Sequence, residues 1–325
     1  MAKKVDWSTI VTSDDLTADA KLLLPLPDGL GLRLNAYSMA CYQPIFNELA
    51  AVFPPKAICE IGVSKAELSA ILLDLAEKNN ADLALVDPAL APEGRDWLEK
   101  HQSEGRIKLF ESESISFLAK DAERFDYFFI DGDHNYQTVR DELRLIDAAK
   151  GKSPYIVLLH DVGWPCARRD MYYNKARIEE RHPAQPGYLS PFEQEVCEFG
   201  IDYKIPVAIQ EGGARNGVLT AVEDFIMQSD GAWRYYDVPL FFGLGLLWNT
   251  ECFDEDKNQA ILAIAESLMR WRTLFGTSEL NRLMLLMRLQ QSGLTWQSQQ
   301  REIARLGEVI RVLRKKLSDQ TAASF

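Results

Sequence analysis

The stretch Ala57-Ile-Cys-Glu-Ile-Gly-Val-Ser-Lys-Ala66 decides the fold that the sequence predicts. It joins a short apolar run to a glycine turn, and a helical pattern from Ala66 to Lys78 follows. Four similar apolar runs come later, DLALVD, RIKLFES, FDYFFID and YIVLLHD, separated by helical stretches such as 138–149. Strands that alternate with helices imply right-handed crossovers and a parallel sheet covered on both faces. We therefore predict a doubly wound, mostly parallel α/β sheet.

The regions around this stretch set the domain boundaries. Residues 1–54 form an N-terminal extension, with a helix predicted from Ser38 to Val52 that ends at two prolines. The sheet domain covers 55–253, and its later runs KIPVAIQ, WRYYDVP and FFGLGLLW are predicted as the last strands of the same sheet. Within it, 163–190 is rich in Trp, Arg, Tyr and Pro, which favours a lid-like loop over the carboxyl ends of the strands.

The C-terminal region, 254–325, is helical by its pattern. Apolar residues recur there at a 3-4 spacing, which predicts a short coiled coil: Trp296, Ile303, Leu306, Ile310, Leu313 and Leu317. Between Arg301 and Asp319 six basic residues accompany three acidic ones. We interpret this as a solvated face around a self-association seam, and hence a homo-oligomer. The alternative is a basic amphipathic helix in peripheral contact with an anionic membrane.

Composition excludes several classes of function. The chain has 325 residues, 47% of them hydrophobic, and a formal net charge of -12. The negative charge disfavours nucleic acid as a partner, so small substrates are expected. Five scattered cysteines contain no CxxC pair and indicate reduced thiols rather than a structural zinc site. No apolar run is long enough to span a bilayer, and we expect a cytoplasmic protein.

Polar residues follow the first three predicted strands and suggest a ligand site. Glu60 and Gly62 spell E-x-G-x-S-x-A rather than the G-x-G-x-x-G of dinucleotide sites, which favours a ligand with a cationic amine and no phosphates. Asp87 ends the second strand, where a carboxylate can accept both hydroxyls of a ribose. Glu113 and Ser114 follow the third strand and suit the exocyclic amine of an adenine.

These segments resemble class I S-adenosylmethionine (SAM) dependent methyltransferases across residues 58–247. EIGVS is similar to their first motif, LVDP to the ribose-binding acid and ESES to the adenine-binding segment. The resemblance implies a Rossmann-like fold with SAM as cofactor. The cofactor-binding residues that it implies are Glu60, Gly62, Ser64, Asp87, Glu113, Ser114 and Asp131. Ala66 stands where the family has a later glycine, and Ser112-Glu113 replaces its G-D.

Two Asp-His pairs follow the fourth and fifth strands. IDGDHNYQTVRDEL and LLHDVGWPCARRDMYY are similar to metal-dependent O-methyltransferases of the catechol and macrolide-sugar types. The resemblance implies Asp131, His160 and Asp161 as ligands of a divalent metal, Mg or Mn, with His134 as the catalytic base and Asp161 also catalytic. His160 stands where an oxygen ligand is expected, which favours manganese or another transition metal over magnesium, or no metal at all. Without a metal, His134 or His160 alone would be the base.

The predicted lid carries side chains that stack on sugars or bind anions. These candidates for substrate binding are Trp164, Arg168, Arg169, Tyr172 and Tyr173. The alternative is that the aromatic residues pack the lid and the arginines pair with acids. The resulting hypothesis is a SAM-dependent O-methyltransferase that acts on a hydroxyl of a small molecule or a sugar or glycan, such as a polysaccharide. The alternatives are an NAD-linked oxidoreductase or epimerase, and a non-catalytic scaffold that acts through the coiled coil.

Overall fold

The computed structural model describes residues 38–101, 105–174, 178–179, 181–288 and 290–291. The predicted coiled-coil seam and most of the N-terminal extension lie outside these residues. The homo-oligomer and the peripheral membrane contact therefore stay predictions. Every helix within the described ranges is too short or too polar to cross a bilayer. The cytoplasmic location also stays a prediction.

A mostly parallel sheet forms the centre of the described part of the chain. Its seven strands are β1 (Ala57–Ile61), β2 (Asp82–Val86), β3 (Ile107–Phe110), β4 (Tyr127–Ile130), β5 (Ile156–His160), β8 (Trp233–Val238) and β9 (Leu244–Asn249). They lie in the order β3-β2-β1-β4-β5-β9-β8. The first five are parallel to one another, and β9 is antiparallel to both of its neighbours. The predicted doubly wound α/β sheet is confirmed.

Helices cover both faces of this sheet. They are α1 (Gln43–Val52), α2 (Glu67–Asn79), α3 (Pro92–His101), α4 (Ser114–Asp121), α5 (Tyr136–Lys150), α6 (Val218–Gln228), α7 (Glu255–Met269) and α8 (272–288). One face packs against α1, α2, α3 and α7, and the other against α4, α5 and α6. Strand β4 shows why: Tyr127 and Phe129 join the first core, whereas Phe128 and Ile130 join the second. Side chains alternate between the faces, so a strand buried on both sides is apolar throughout.

The run KIPVAIQ is not a strand of the central sheet, as we had predicted. It belongs to β7 (Ile201–Ala208), which pairs with β6 (Ala184–Leu189) in a separate two-stranded antiparallel sheet. Only the ends of β7 are buried, whereas the central strands are buried nearly throughout, and this half-buried pattern is typical of an antiparallel pair with one face in solvent. Because β6 falls inside 163–190, the predicted lid-like loop ends in a strand.

The helix predicted from Ser38 to Val52 is divided. A short 3-10 helix, Met39–Tyr42, comes first, with the Ser38 hydroxyl accepting a hydrogen bond from the amide of Ala40 at 3.2 Å. Helix α1 follows, and Pro44 lies in its first turn. A proline ring restricts the backbone of the residue before it and favours the start of a helix, which explains the division at this point.

Candidate active site

The carboxyl ends of the parallel strands open into a cavity of about 1300 Å³. All the predicted cofactor-binding residues line it: Glu60, Gly62, Ser64, Asp87, Glu113, Ser114 and Asp131. His134 and Asp161 line it as well. The structure therefore brings together residues from five strand ends, and the first and last of these residues lie more than 100 positions apart in the sequence. This is where ligands bind in open α/β sheets.

Gly62 begins the turn between β1 and α2 and is required there for two reasons. Its φ of +86° lies in the left-handed region, and a Cβ at this position would lie 2.2 Å from the carbonyl oxygen of Asp131. Its amide donates to the carbonyl of Val86 at 2.9 Å, which fixes the turn to β2. The first turn and the end of β4 are thus in direct backbone contact, and no larger residue fits between them.

Asp87 organises this turn. One carboxylate oxygen accepts hydrogen bonds from the amides of Val63 at 2.9 Å and Ser64 at 3.0 Å, and the other accepts from Ala89 at 2.8 Å. A carboxylate has about four acceptor sites, so one remains for a ribose hydroxyl. The aspartate therefore shapes the loop in addition to the ligand contact that we predicted for it.

Glu60 is a buried carboxylate without a charged partner. Neither of its oxygens has a hydrogen bond of normal geometry among the described residues, although the side chain is fully buried at the cavity wall. Burial raises the pKa of Glu60 well above its usual value. A cationic amine bound in the cavity would stabilise the ionised form of this side chain. The unpaired carboxylate thus fits the amino group of the methionine part of SAM.

Glu113 and Ser114 lie where β3 leads into helix α4, and both face the cavity. Behind Ser114 lies Glu142 on α5, which is fully buried and whose carboxylate oxygens have no hydrogen bond of normal geometry within the described chain. Burial raises the pKa of Glu142 to about 8, although the Ser114 hydroxyl opposes this shift. The protonated form of Glu142 is therefore favoured at neutral pH in the folded protein.

The ionisation of Glu142 should be visible in how the stability of the protein depends on pH. Below its ordinary pKa of about 4.5, Glu142 is protonated in both the folded and the unfolded chain. Between that value and about pH 8, Glu142 ionises only in the unfolded chain. The contribution of Glu142 to the free energy of unfolding therefore falls by about 1.4 kcal/mol for each unit of pH rise over this range. We expect Glu142→Gln to reduce this slope between pH 5 and 8 in urea titrations. Glu142→Asp, which keeps a carboxyl group, should retain the slope. Equal slopes for Glu142→Gln and the unchanged protein would contradict the assignment.

The two Asp-His pairs form one cluster. His160 Nδ1 lies 3.1 Å from an oxygen of Asp131 and 3.2 Å from an oxygen of Asp161. His134 Nε2 lies 3.5 Å and 3.2 Å from the same two oxygens. Adjacent strands β4 and β5 bring these side chains together, because parallel strands end at the same edge of a sheet.

The electrostatics of the cluster are dominated by its opposite charges. Burial raises the pKa of Asp131, but the two histidines outweigh burial and lower it. Burial lowers the pKa of His160 and of His134, but the carboxylates outweigh burial and raise both, with Asp131 acting most on His160 and Asp161 most on His134. The carboxylates therefore favour the protonated form of both imidazoles.

Helix α8 orients His160 through the turn at Phe241 and Phe242. The Nε2 atom of His160 donates to the carbonyl of Phe241 at 2.9 Å, so Nδ1 faces the carboxylates. Phe241 and Phe242 both have positive φ angles, and their amides donate to the carboxylate of Glu279 on α8 at 2.9 Å and 3.0 Å. Arg282 pairs with this carboxylate. Sequence reasoning missed this support because its residues lie about 80 to 120 positions from His160.

The cluster also has the donor set of a metal site. One ligand atom each from Asp131, His160 and Asp161 lies within 4.8 Å of the others. In an octahedral site with bonds of about 2.1 Å, neighbouring ligand atoms lie about 3.0 Å apart, close to the nitrogen–oxygen distances of 3.1 and 3.2 Å seen here. An imidazole with two carboxylates suits manganese or a similar transition metal better than magnesium.

The structure places both arginines of the predicted substrate loop away from the cavity. Arg168 forms a two-pronged ion pair with Glu223, at 2.5 and 2.6 Å. Arg169 is fully buried and donates to the backbone carbonyls of Ile209 and Gln194, at 2.8 and 2.7 Å. These contacts anchor the loop to the rest of the chain, so neither arginine is retained as a substrate-binding residue.

The aromatic residues of this loop divide in the same way. Tyr172 is buried and donates to Asp170 at 2.9 Å, and Trp164 packs between two apolar cores, outside the cavity lining. Tyr173 lines the cavity, is 54% exposed and contacts the His134 ring edge-on, with ring centres 5.5 Å apart. Of the five predicted substrate-binding residues, Tyr173 alone lines the cavity, and its role there stays a prediction.

One wall of the cavity was missed by sequence reasoning. Five consecutive residues of β7 line it, namely Ile201, Asp202, Tyr203, Lys204 and Ile205, together with Gln290. The amide of Asp202 donates to the side chain of Gln290 at 3.0 Å, which joins the C-terminal helical region to the β6–β7 pair. The alternation of polar and apolar residues in IDYKI was the available signal, since it indicates a strand with two different faces.

Part of the chain is similar to known proteins. A family model described as a methyltransferase domain matches residues 59–162, from β1 to just beyond β5. A search of curated proteins finds no match to the chain. Among solved structures, an S-adenosylhomocysteine-bound methyltransferase of Podospora anserina is 17% identical, with a TM-score of 0.42, covering 71% of this chain and 86% of that one.

A second solved structure is an O-methyltransferase of Streptomyces achromogenes involved in tomaymycin synthesis, in complex with SAM. It is 15% identical, with a TM-score of 0.42, covering 75% of this chain and 94% of that one. The family match begins within β1 and ends beyond β5, so it spans the strand ends that carry the candidate site. Residues 59–162 thus match a methyltransferase domain, and they belong to a Rossmann-like sheet whose carboxyl strand ends open into the candidate cavity.

Proposed function

We propose that this enzyme transfers the methyl group of SAM to a hydroxyl of a small molecule or a sugar, with the assistance of a divalent cation. The observation that carries the proposal is the position of the Asp131–His134–His160–Asp161 cluster, which borders the same cavity as the Glu60–Gly62 turn. A proton acceptor and a cation-binding donor set next to the cofactor loop are what alkylation of a hydroxyl requires. The NAD-linked and scaffold alternatives have no comparable support, because the matched family is that of a methyltransferase domain.

The cofactor would bind along the first three strand ends. Glu60 and Gly62 would lie by the methionine part, Asp87 by the ribose, and Glu113 with Ser114 by the adenine. Asp131 contacts the Gly62 turn through its backbone and the histidines through its side chain. This residue therefore lies between the cofactor and the acceptor halves of the cavity.

His134 is the proposed proton acceptor. Methyl transfer needs the hydroxyl oxygen, the methyl carbon and the sulfur in line, and the hydroxyl proton must leave as the new bond forms. His134 lines the cavity, and Asp161, at 3.2 Å, would stabilise the imidazolium that results. Tyr173 packs edge-on against the ring and limits its movement.

Asp131, His160 and Asp161 would hold the cation. A bound divalent ion lowers the pKa of a hydroxyl that it contacts and so assists its deprotonation. The residues themselves favour a cation here: Asp161 and Asp131 raise the pKa of His134, and a positive charge beside these carboxylates would oppose that shift. His160 is held in place for this role by the Phe241 carbonyl on its other side.

The acceptor half of the cavity supports a sugar or similar polyhydroxylated substrate. Tyr173 and Tyr203 offer aromatic rings at its wall, and Asp202 and Lys204, which form an ion pair with each other, add charged groups to the lining. Aromatic rings stack on the apolar faces of sugars, while neighbouring polar groups select among their hydroxyls. Strand β7 supplies Asp202, Tyr203 and Lys204 to this wall, and Tyr173 comes from the loop after β5.

The proposal is tested by a methyl-transfer assay with labelled SAM and a panel of sugars, catechols and amines. Each acceptor is offered with Mn²⁺, with Mg²⁺ and with a chelator. We expect label transfer to a hydroxyl acceptor, most rapidly with Mn²⁺ and at least tenfold more slowly with the chelator. Transfer confined to amines would contradict the hydroxyl assignment, and an unchanged rate with the chelator would contradict the cation.

A further inference from the structure

We propose that His134, Asp161 and Cys166 form a second metal site in the cavity wall, which takes a soft divalent ion such as Zn²⁺. One ligand atom from each of the three residues lies within 4.8 Å of the other two. They come from two segments: His134 lies between β4 and α5, and Asp161 and Cys166 lie in the loop that follows β5. All three side chains line the cavity, so an ion can enter from solvent.

The geometry between His134 and Asp161 is that of two ligands of one ion. In a tetrahedral zinc site, bonds of about 2.0–2.2 Å to nitrogen and oxygen place those atoms about 3.3–3.5 Å apart. The observed distance from His134 Nε2 to the Asp161 oxygen is 3.2 Å. Nε2 is buried, yet it has no hydrogen bond of normal geometry to any described residue. The Nε2 atom of His134 and the Asp161 carboxylate are therefore close to each other without the geometry of a hydrogen bond.

Cys166 decides which metals the site prefers. Thiolate and imidazole ligands favour zinc and similar soft ions over magnesium or manganese. The cysteine is 2% exposed, and burial raises the pKa of its thiol to about 11, so the thiol is protonated and unreactive without a metal. On binding, the sulfur–hydrogen bond of Cys166 and the Nε2–H bond of protonated His134 break as the bonds to the metal form, and both protons leave to solvent through the cavity. Three protein ligands leave a fourth position open, as in accessible zinc sites.

The backbone already holds the three ligands in place. The amide of Met171 donates to the carbonyl of His134 at 2.9 Å, which ties the Cys166 loop to the end of β4. At the start of this loop, the amide of Gly163 donates to the carbonyl of Phe242 at 2.6 Å. Little reorganisation is needed to bind an ion, and this favours affinity.

The site shares Asp161 with the cation site of the proposed function and includes its base. A zinc ion on His134 would occupy the atom that accepts the hydroxyl proton, so Zn²⁺ should inhibit methyl transfer. This inhibitory consequence rests on the proposed role of His134. The existence of the metal site does not, because it depends only on the three donor atoms.

The test uses Co²⁺ as a spectroscopic substitute for Zn²⁺ on the purified full chain. A cobalt–thiolate bond gives a charge-transfer band in the near ultraviolet, which ligation by carboxylate and imidazole alone does not give. We expect a band that saturates at about one ion per chain, disappears on addition of Zn²⁺ and is absent from Cys166→Ser. Cys197→Ser, which removes a cysteine outside the cavity lining, should keep the band. Absence of the band from the unchanged protein, or its persistence in Cys166→Ser, would overturn the proposal.

Two further measurements separate this result from a folding defect and from the proposed function. Cys166→Ser should bind S-adenosylhomocysteine as tightly as the unchanged protein, and this shows that the cavity is intact. In the methyl-transfer assay, inhibition by Zn²⁺ should require at least tenfold more zinc in Cys166→Ser. Equal sensitivity of the two proteins would overturn the inhibitory role, even where the cobalt band establishes the site.

Discussion

Gly62→Ala should abolish cofactor binding and lower the free energy of unfolding by about 3 kcal/mol or more. A Cβ at this position would lie 2.2 Å from the carbonyl oxygen of Asp131 and 2.6 Å from the Cα of Gly132. Both obstacles are backbone atoms of the neighbouring strand end, so no side-chain rotation relieves the contact. The left-handed φ of +86° adds a further cost for any residue with a side chain. The turn must shift, and this shift displaces Glu60 and Asp87, which we propose to contact the cofactor.

Gly105→Ala is the matched control for this variant. Gly105 has a similar φ of +73°, but a Cβ there would meet no atom within 4 Å. It should therefore lose only the conformational cost, about 1 kcal/mol, and keep full affinity for S-adenosylhomocysteine. Urea denaturation and calorimetric titration measure the two effects. Similar losses in both variants would show that close approach to β4 is not what Gly62 provides.

His134→Gln should lower the rate of methyl transfer by a factor of about 10²–10⁴ and leave the affinity for S-adenosylhomocysteine unchanged. Glutamine keeps a polar group of similar length at the cavity wall but cannot accept a proton at neutral pH. His134 is not among the residues proposed to contact the cofactor, so cofactor contacts should persist. The measurement is kcat with the best hydroxyl acceptor from the panel, next to calorimetric titration.

His101→Gln provides the control, because it changes a histidine on α3 outside the cavity lining. Its kcat should match that of the unchanged protein. The fold change in His134→Gln must appear in kcat rather than in KM for the acceptor, since the proton acceptor acts as the bond forms. Normal turnover in His134→Gln would show that another group is the base.

The strand ends could be predicted from the sequence because their signals are local. Each apolar run is long enough to show a strand buried on both faces, and the residue after it is fixed at the edge of the sheet. Glu60, Asp87, Asp131 and Asp161 lie at the ends of neighbouring strands and therefore line one cavity. The alternation of strands and helices thus predicted both the fold and the positions of these acidic side chains.

The loop after β5 could not be predicted in the same way. Arg169 looked like an anion-binding side chain, but its partners are backbone carbonyls 25 and 40 residues away. Residue type indicates what a side chain can bind, whereas the direction in which it points depends on long-range packing. The strand β7 was assigned to the wrong sheet for a related reason, since its pairing partner lies inside the supposed loop.

The support of His160 by α8 was also beyond sequence reasoning. Glu279 holds two amides in a turn of unusual backbone conformation, and that turn presents one carbonyl to the imidazole. Nothing in the residues FFG indicates positive φ angles at both phenylalanines. Such a chain of contacts is visible only once the helix, the turn and the strand end are placed together.

The central claim is tested most directly by calorimetric titration of the purified protein with S-adenosylhomocysteine, with and without Mn²⁺, and with NAD as the control ligand. The account predicts micromolar binding of S-adenosylhomocysteine at one site per chain, no binding of NAD, and loss of binding in Gly62→Ala. Absence of S-adenosylhomocysteine binding under every metal condition, in a protein shown to be folded, would contradict it.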